Sequence, residues 1–159
     1  DARAAGPEHD WQLDLAVLEP PADATQEEAE DFLPEPPLVI GDEARLRQVV
    51  VNLLANARVH PPAGSHVTTT LMRESDTLIV RIHDDGPGIA PDVRDRLFER
   101  FARGDSSRER RTGSTGLGMS IALAIVQSHG GSIDVDSSTA SEDHGTTFTV
   151  RLPAAVVEE

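Results

Sequence analysis

The 159-residue chain has no cysteine, no lysine and no tyrosine, and aromatic residues make up only 3% of it. Without cysteine there is no disulfide and no thiolate metal site. Without lysine there is no Walker-type phosphate loop, whose Gly-Lys-Ser/Thr turn brings an ammonium to the phosphates. With so few rings, a core has to be built from Leu, Val, Ile and Ala. No apolar run approaches the roughly 20 residues of a membrane span, and no secretory leader is recognisable. Positive charge is scarce too: the formal net charge is −14, and all fourteen bases are Arg. A surface of that sign is a poor general binder of nucleic acid, whose phosphates need neutralising cations. The length suits one ordinary domain.

The charge is unevenly placed. Residues 1–37 hold eleven acids against the single base Arg3, whereas residues 38–159 hold seventeen acids and thirteen bases. Seven of the fourteen arginines fall between Arg94 and Arg111. An Arg cluster on an acidic protein suits a phosphate group, which the planar guanidinium can engage through two parallel bonds.

Residues 11–18 (WQLDLAVL) alternate weakly and predict a strand. Residues 19–37, with five prolines and many acids, read as a flexible loop or a short helix around Gln26–Phe32. Leu38-Val39-Ile40 predicts a short strand ended by Gly41. Asp42 is suited to cap a helix whose apolar positions Leu46, Val49, Val50, Leu53, Leu54 and Ala57 recur at helical spacing. That helix must stop before Pro61-Pro62. His66–Arg73 and Thr77–Ile82 predict a hairpin around Glu74-Ser75-Asp76. Pro91 opens a helix carrying Val93, Leu97, Phe98 and Phe101. Gly104–Thr115 is polar and charged, with nothing apolar to anchor it. Leu117–His129 predicts a helix closed by Gly130-Gly131, and Ser132–Asp136 and Thr146–Leu152 predict strands around a polar turn. Helices among hairpin-connected strands give an α/β (α+β) two-layer sandwich, with helices on one face of a mixed, mostly antiparallel sheet.

Three motifs carry chemistry. Asn52 and Asn56 are four apart and share a helix face with Gln48. Asn is poor in a helix interior, so the pair needs partners, either capping and core hydrogen bonds or a hydrated metal. Asp84-Asp85-Gly86-Pro87-Gly88-Ile89 puts a carboxylate at a strand end beside glycines. Glycine lets backbone approach a flat ligand closely, and the carboxylate can accept from an exocyclic amine; a plain Asp-Gly turn is the bland alternative. Gly113-Ser114-Thr115-Gly116-Leu117-Gly118 opens an apolar helix whose free amides and dipole favour phosphate, unless it is a glycine hinge. Phe98 and Phe101 read as core residues. The six histidines (9, 60, 66, 83, 129 and 144) have no metal-ligand spacing and read as structural or surface groups.

Taken in order, these motifs make residues from about 38 to 152 resemble the catalytic ATP-binding domain of bacterial two-component sensor histidine kinases. That domain belongs to the wider superfamily (abbreviated GHKL) of gyrase B, the ninety-kilodalton heat-shock chaperones and MutL. Asn52–Asn56 resembles the N box, Asp84–Ile89 the first glycine box, Phe98–Phe101 the F box and Thr115–Gly118 the second glycine box. Gly145-Thr146-Thr147-Phe148 resembles the last glycine box. The resemblance implies a Bergerat-type fold that binds ATP and Mg²⁺. Asn56 would ligate Mg²⁺, with Asn52 beside the triphosphate and its water. Asp84 would accept from adenine, with Gly86, Gly88 and Ile89 giving close approach. Thr115, Gly116, Leu117 and Gly118 would contact phosphates, Thr147 would help hold the nucleotide, and Gly104–Thr115 would form a lid, with Arg103 at its edge acting on the transferred phosphate.

Two departures stand out. The N box usually continues to a Lys or Arg and then a Tyr, where this chain has Val59 and His60, with Arg58 one place early. Either His60 substitutes in part, or affinity relies on the lid arginines. Ser114 stands where the second glycine box commonly has Gly. In the ATP-hydrolysing switches of the superfamily an acidic base precedes the metal Asn by four residues; here that position is Asn52, which cannot act as a base. Such a switch and a non-catalytic nucleotide-sensing module remain the alternatives. None of the six histidines has the acid and Pro-Leu context of a phosphoacceptor. The expectation is therefore that the 159 residues form a single catalytic domain, with 19–37 an acidic Pro-rich insertion. Its own dimerisation and phosphoacceptor domain, a sensor and a cognate response regulator would be its partners, and the whole protein a membrane-anchored homodimer with this domain cytoplasmic.

Overall fold

The computed structural model describes residues 8–59, 64–99 and 118–156, together with Ala4. Five strands form one sheet: β1 (Asp10–Asp14), β2 (His66–Glu74), β3 (Thr77–Asp84), β4 (Ser132–Thr139) and β5 (His144–Pro153), in the order β1-β2-β3-β5-β4. Among the described residues they are accompanied by the α-helices α1 (Gln26–Glu30), α2 (Glu43–Val59), α3 (Pro91–Arg94) and α4 (Gly118–Ser128). Every neighbouring pair is antiparallel except β1 and β2, which run parallel with Trp11 opposite Val67. A parallel pair cannot be closed by a tight turn, and α1 and α2 lie in the connection between these two strands.

The period-2 pattern of the strands and the 3.6-residue pattern of the helices meet in one core. Val67, Ile82, Ile133, Phe148, Val150 and Leu152 point to one face of the sheet, where they pack with Val49, Leu53 and Ala57 of α2 and Met119, Ala122, Ile125 and Val126 of α4. Phe148, Leu53 and Val126 are among the largest fully buried side chains. Complete burial of a side chain of this size stabilises by about 1.5–3 kcal/mol, so this shared layer fixes where the two helices sit. The two-layer arrangement is the one expected from the sequence.

Local differences have physical causes. The strand expected over residues 11–18 ends at Asp14 and passes into a 3-10 turn at Ala16–Leu18. Leu38-Val39-Ile40 is not a strand: its ladder never forms, because Leu38 N bonds back to Pro36 O and its carbonyl takes one bond, from Ala155 N. The helix opened by Pro91 is a single turn with Pro at its start; Leu97 and Phe98 follow in turns yet still pack against the core. Phe101, Gly104–Thr115 and the start of the second glycine box lie outside the described residues. The acidic segment does contain a short helix, α1, capped by a reciprocal pair: Thr25 Oγ1 accepts from Glu28 N while Glu28 accepts from Thr25 N at 2.7 Å. The Thr25 backbone bond, with help from its hydroxyl, holds the Glu28 carboxyl below the usual glutamate range. Arg73 ties the following residues down, pairing with Glu35 and donating from Nε to Ser75 O at 2.9 Å.

Helix α4 ends as the Gly-Gly pair predicts. Gly130 has φ +76°, Gly130 N bonds to Gln127 O and Gly131 N to Val126 O, the paired bonds of a Schellman cap. The intervening His129 joins the two helices. Its Nε2 accepts from Asp42 N at 3.0 Å, so Nδ1 must carry the hydrogen that it shares with Ile125 O at 2.7 Å. Asp42 in turn caps α2, accepting from Arg45 N through Oδ1 at 3.1 Å. The ring lies so close to Gly41 that a Cβ there would fall 2.3 Å from His129 Cδ2. His129→Ala is therefore expected to lower stability by about 1–3 kcal/mol, two hydrogen bonds' worth, without changing nucleotide affinity. Urea unfolding and nucleotide titration of the same variant check both halves.

Candidate nucleotide-binding site

The polar stripe of α2 runs beside its buried stripe, as the four-residue spacing requires. Gln48 Nε2 donates to Asn52 Oδ1, and Asn52 Nδ2 donates to Gly118 O at 3.0 Å. Asn52 thus braces the first residue of α4 against α2, and both ends of its amide are engaged. Asn56, one turn further on, is half-buried and makes no side-chain hydrogen bond among the described residues.

Asp84 closes β3 with only 5% of its surface exposed. It lies in register between Val67 and Thr146, on the sheet face that carries the helices. A buried carboxylate requires hydrogen-bond partners, and one is Gly86 N, which donates to Oδ1 at 3.0 Å. Asp85 points elsewhere, accepting from His66 N at 2.7 Å through Oδ1. The two adjacent acids therefore do different work: Asp85 fastens the turn to β2, and Asp84 faces the helix layer.

The rest of the turn is held by the β4–β5 hairpin. Gly88 has φ +82°, and a Cβ there would sit 2.1 Å from Ser138 O. Ile89 N donates to Ser137 Oγ at 2.8 Å. Ser137 Oγ donates to Gly145 O at 3.0 Å, which leaves the Thr146 hydroxyl to donate to Ser137 Oγ at 2.9 Å. His144 Nδ1 lies 2.7 Å from Gly86 O.

Asp84, Gly86, Gly88 and Ile89 thus form one continuous turn, and Asn52 and Gly118 are in direct contact. Thr147 does not join them. It is paired with His83 in the ladder, on the opposite face of the sheet, and its Oγ1 lies 2.8 Å from His83 Nδ1. The reason is strand alternation: Thr146, Phe148 and Val150 face the helices, so Thr147 cannot. Thr146, 3% exposed and in register with Asp84, occupies the place expected of Thr147. Its signal was already in the sequence, since it is two residues before the buried Phe148. His60, Arg103, Thr115, Gly116 and Leu117 lie outside the described residues. Among the described residues no group of three or more His, Cys, Asp or Glu is arranged to hold a metal. A divalent ion here would have to rely on amide oxygens, water and a ligand's own oxygens, a set that fits Mg²⁺, which keeps several waters.

Comparison with known proteins shows the family. The sequence profile described as "Histidine kinase-, DNA gyrase B-, and HSP90-like ATPase" matches residues 41–156. The chain is 47% identical over 153 residues to the probable sensor histidine kinase TcrY of Mycobacterium tuberculosis, covering 96% of this chain and 28% of that protein. It is 42% identical over 113 residues to the sensor histidine kinase RppB of Synechocystis, covering 71% of this chain and 24% of that one. Among solved structures it resembles the mycobacterial sensor histidine kinase MprB, with a TM-score of 0.73 at 28% identity, over 98% of this chain and 88% of that one. The chain spans little more than a quarter of the length of the first of these curated relatives. It belongs to the family of histidine kinase-, DNA gyrase B- and HSP90-like ATPases, as an ATP-binding catalytic domain of the sensor histidine kinase type.

Proposed function

We propose that this domain grips ATP with Mg²⁺ and presents the γ-phosphate to a histidine on a separate helical phosphoacceptor domain of the same protein. The observation that carries the reading is the buried Asp84 carboxylate, fixed on Gly86 N at a strand end, on the same sheet face as helices whose polar stripe is α2's Asn52 and Asn56. Asp84 would accept from the adenine amine, with Thr146 beside it in place of Thr147. Gly118, braced by Asn52, together with Thr115, Gly116 and Leu117, would offer amides to the phosphates. His60 would lie against the nucleoside and Arg103 against the transferred phosphate. Asn56 would ligate Mg²⁺ directly; Asn52, with its oxygen already accepting from Gln48, would act through its brace or through water. When bound, Mg²⁺ supplies charge neutralisation between phosphate oxygens. What the chain supplies is position: phosphoryl transfer depends on in-line alignment and electrostatic stabilisation more than on covalent chemistry.

Asn52, an amide committed to Gly118 O and Gln48, has no basicity with which to activate water. That favours transfer to a histidine over the hydrolytic switch. The relatives are named sensor histidine kinases and are several times longer. By analogy the complete protein would be a membrane-anchored homodimer with a cognate response regulator as its downstream partner. Among the described residues no helix is long and apolar enough to cross a membrane, so an anchor would lie outside them. Residues 1–159 would be one kinase catalytic domain with its core at about 38–152, and the acidic 19–37 segment an insertion or loop ahead of that core. The test is incubation with γ-labelled ATP. The chain alone should stay unlabelled, while the phosphoacceptor domain of its parent protein, added in trans, should gain acid-labile label. Label on this chain, or none on the acceptor, would overturn the reading.

The metal role gives a separate prediction. Asn56→Ala is expected to reduce the Mg²⁺-dependent gain in ATP affinity by about tenfold, the worth of a neutral group bonded to a charged partner. Mg²⁺-free ADP binding and the melting temperature should barely change. Calorimetry with and without Mg²⁺ reads both.

A further inference from the structure

We propose that His144 is a positioning residue for adenine, acting through Gly86 on the Asp84 carboxylate. The inference rests on the reading that the Asp84–Ile89 turn receives adenine. Gly86 is held through both of its peptide bonds, to Asp85 and to Pro87. Its carbonyl lies 2.7 Å from His144 Nδ1, and its N–H donates to Asp84 Oδ1 at 3.0 Å. A carbonyl only accepts, so His144 Nδ1 carries the hydrogen and donates it. His144 is exposed at the start of β5, whereas Gly86 and Asp84 are buried. The imidazole therefore reaches in from the hairpin to fix the carbonyl of a glycine whose N–H, across its own Cα, holds the carboxylate. Ser137, on the other arm of the same hairpin, holds Ile89 N, and Gly88 lies against Ser138 O. The β4–β5 hairpin thus clamps the turn at residues 86, 88 and 89.

A clamp on the base-binding turn has a different signature from a merely structural contact. Removing the donor lets Gly86 shift about its two backbone torsions, and one of the groups that hold the Asp84 carboxylate loses its fixed place. Binding then suffers at the adenine end, so ATP and ADP should weaken by the same factor. His144 is exposed at a hairpin end, and little of the fold depends on its bulk.

The test uses the complete 159-residue chain, with dissociation constants for ATP and ADP and the melting temperature without ligand. His144→Ala is expected to weaken both nucleotides by about 3- to 10-fold, the worth of one neutral hydrogen bond, and to leave the melting temperature almost unchanged. His144→Asn places an amide N–H where Nδ1 stood and should restore binding. His144→Gln, whose amide lies one methylene further out, should not, and it supplies the loss variant if His144→Ala folds poorly. If the wild-type chain binds ATP and ADP and both His144→Ala and His144→Gln bind equally well, the positioning role is wrong while the adenine reading stands. Weakening that His144→Asn fails to repair would also overturn it. A wild-type chain that binds neither nucleotide would remove the adenine reading, and the role of His144 with it.

Discussion

Replacing Asp84 by Asn is expected to lower affinity for ATP and ADP alike by about 10- to 100-fold, while the domain still folds. Asp84 is 5% exposed, and its Oδ1 accepts from Gly86 N. An Asn keeps an acceptor for that amide, so the turn retains its internal bond. What changes is the charge and the second oxygen, which becomes an NH₂ that cannot accept from an exocyclic amine. A hydrogen bond to a charged group contributes about 1.5–3 kcal/mol, which gives the factor stated. Asp85→Asn supplies the contrast: that side chain is bonded to His66 N, so its loss should leave affinity nearly intact. Calorimetric titration of the two variants separates them, and unchanged binding by a folded Asp84→Asn protein would end the assignment of Asp84 to adenine.

Gly88→Ala is expected to cost about 2–5 kcal/mol of stability and most of the nucleotide affinity. Two effects add. The backbone at Gly88 has φ +82°, where an L side chain costs about 1–2 kcal/mol. The new methyl would also meet the Ser138 carbonyl at 2.1 Å, and backbone cannot swing away as a flexible side chain can; overpacking of this kind typically costs about 1–3 kcal/mol. Relief requires the hairpin and the turn to separate, which breaks the Ile89–Ser137 contact as well. Gly64→Ala isolates the first effect, because Gly64 has φ +88° with nothing within 4 Å of a Cβ. Urea denaturation should show the smaller loss for Gly64→Ala and the larger for Gly88→Ala. Equal losses would mean that the hairpin contact contributes nothing.

The elements with short-range causes were legible from residues alone. Helix α2 follows from the Asp42 cap and the recurrence of Val49, Leu53 and Ala57, all buried in the structure. The end of α4 follows from Gly130, the one residue type at ease at φ +76° there. The β2–β3 hairpin follows from two alternating runs around Ser75-Asp76. Each depends on interactions within a few positions, which a periodic pattern records. The failures have the opposite character. Leu38-Val39-Ile40 has strand composition, but a strand needs a ladder partner, and none is supplied by sequence neighbours.

The sequence by itself determined that Asn52 and Asn56 share a helix face and that Asp84 stands at a strand end beside glycines. Spacing on a helix and the place of a turn are properties of the local chain. Only the tertiary structure decided that Thr146, not Thr147, shares a sheet face with Asp84, because facing is set by the register of β3 with β5. Only it showed Asn52 committed to Gly118, 66 positions away, His144 to Gly86, 58 away, and His129 to Asp42, 87 away. Such partners are chosen by how the sheet and the two helices pack around one core. No local pattern carries that information, since a histidine or an asparagine looks the same in sequence whether or not a distant peptide folds onto it.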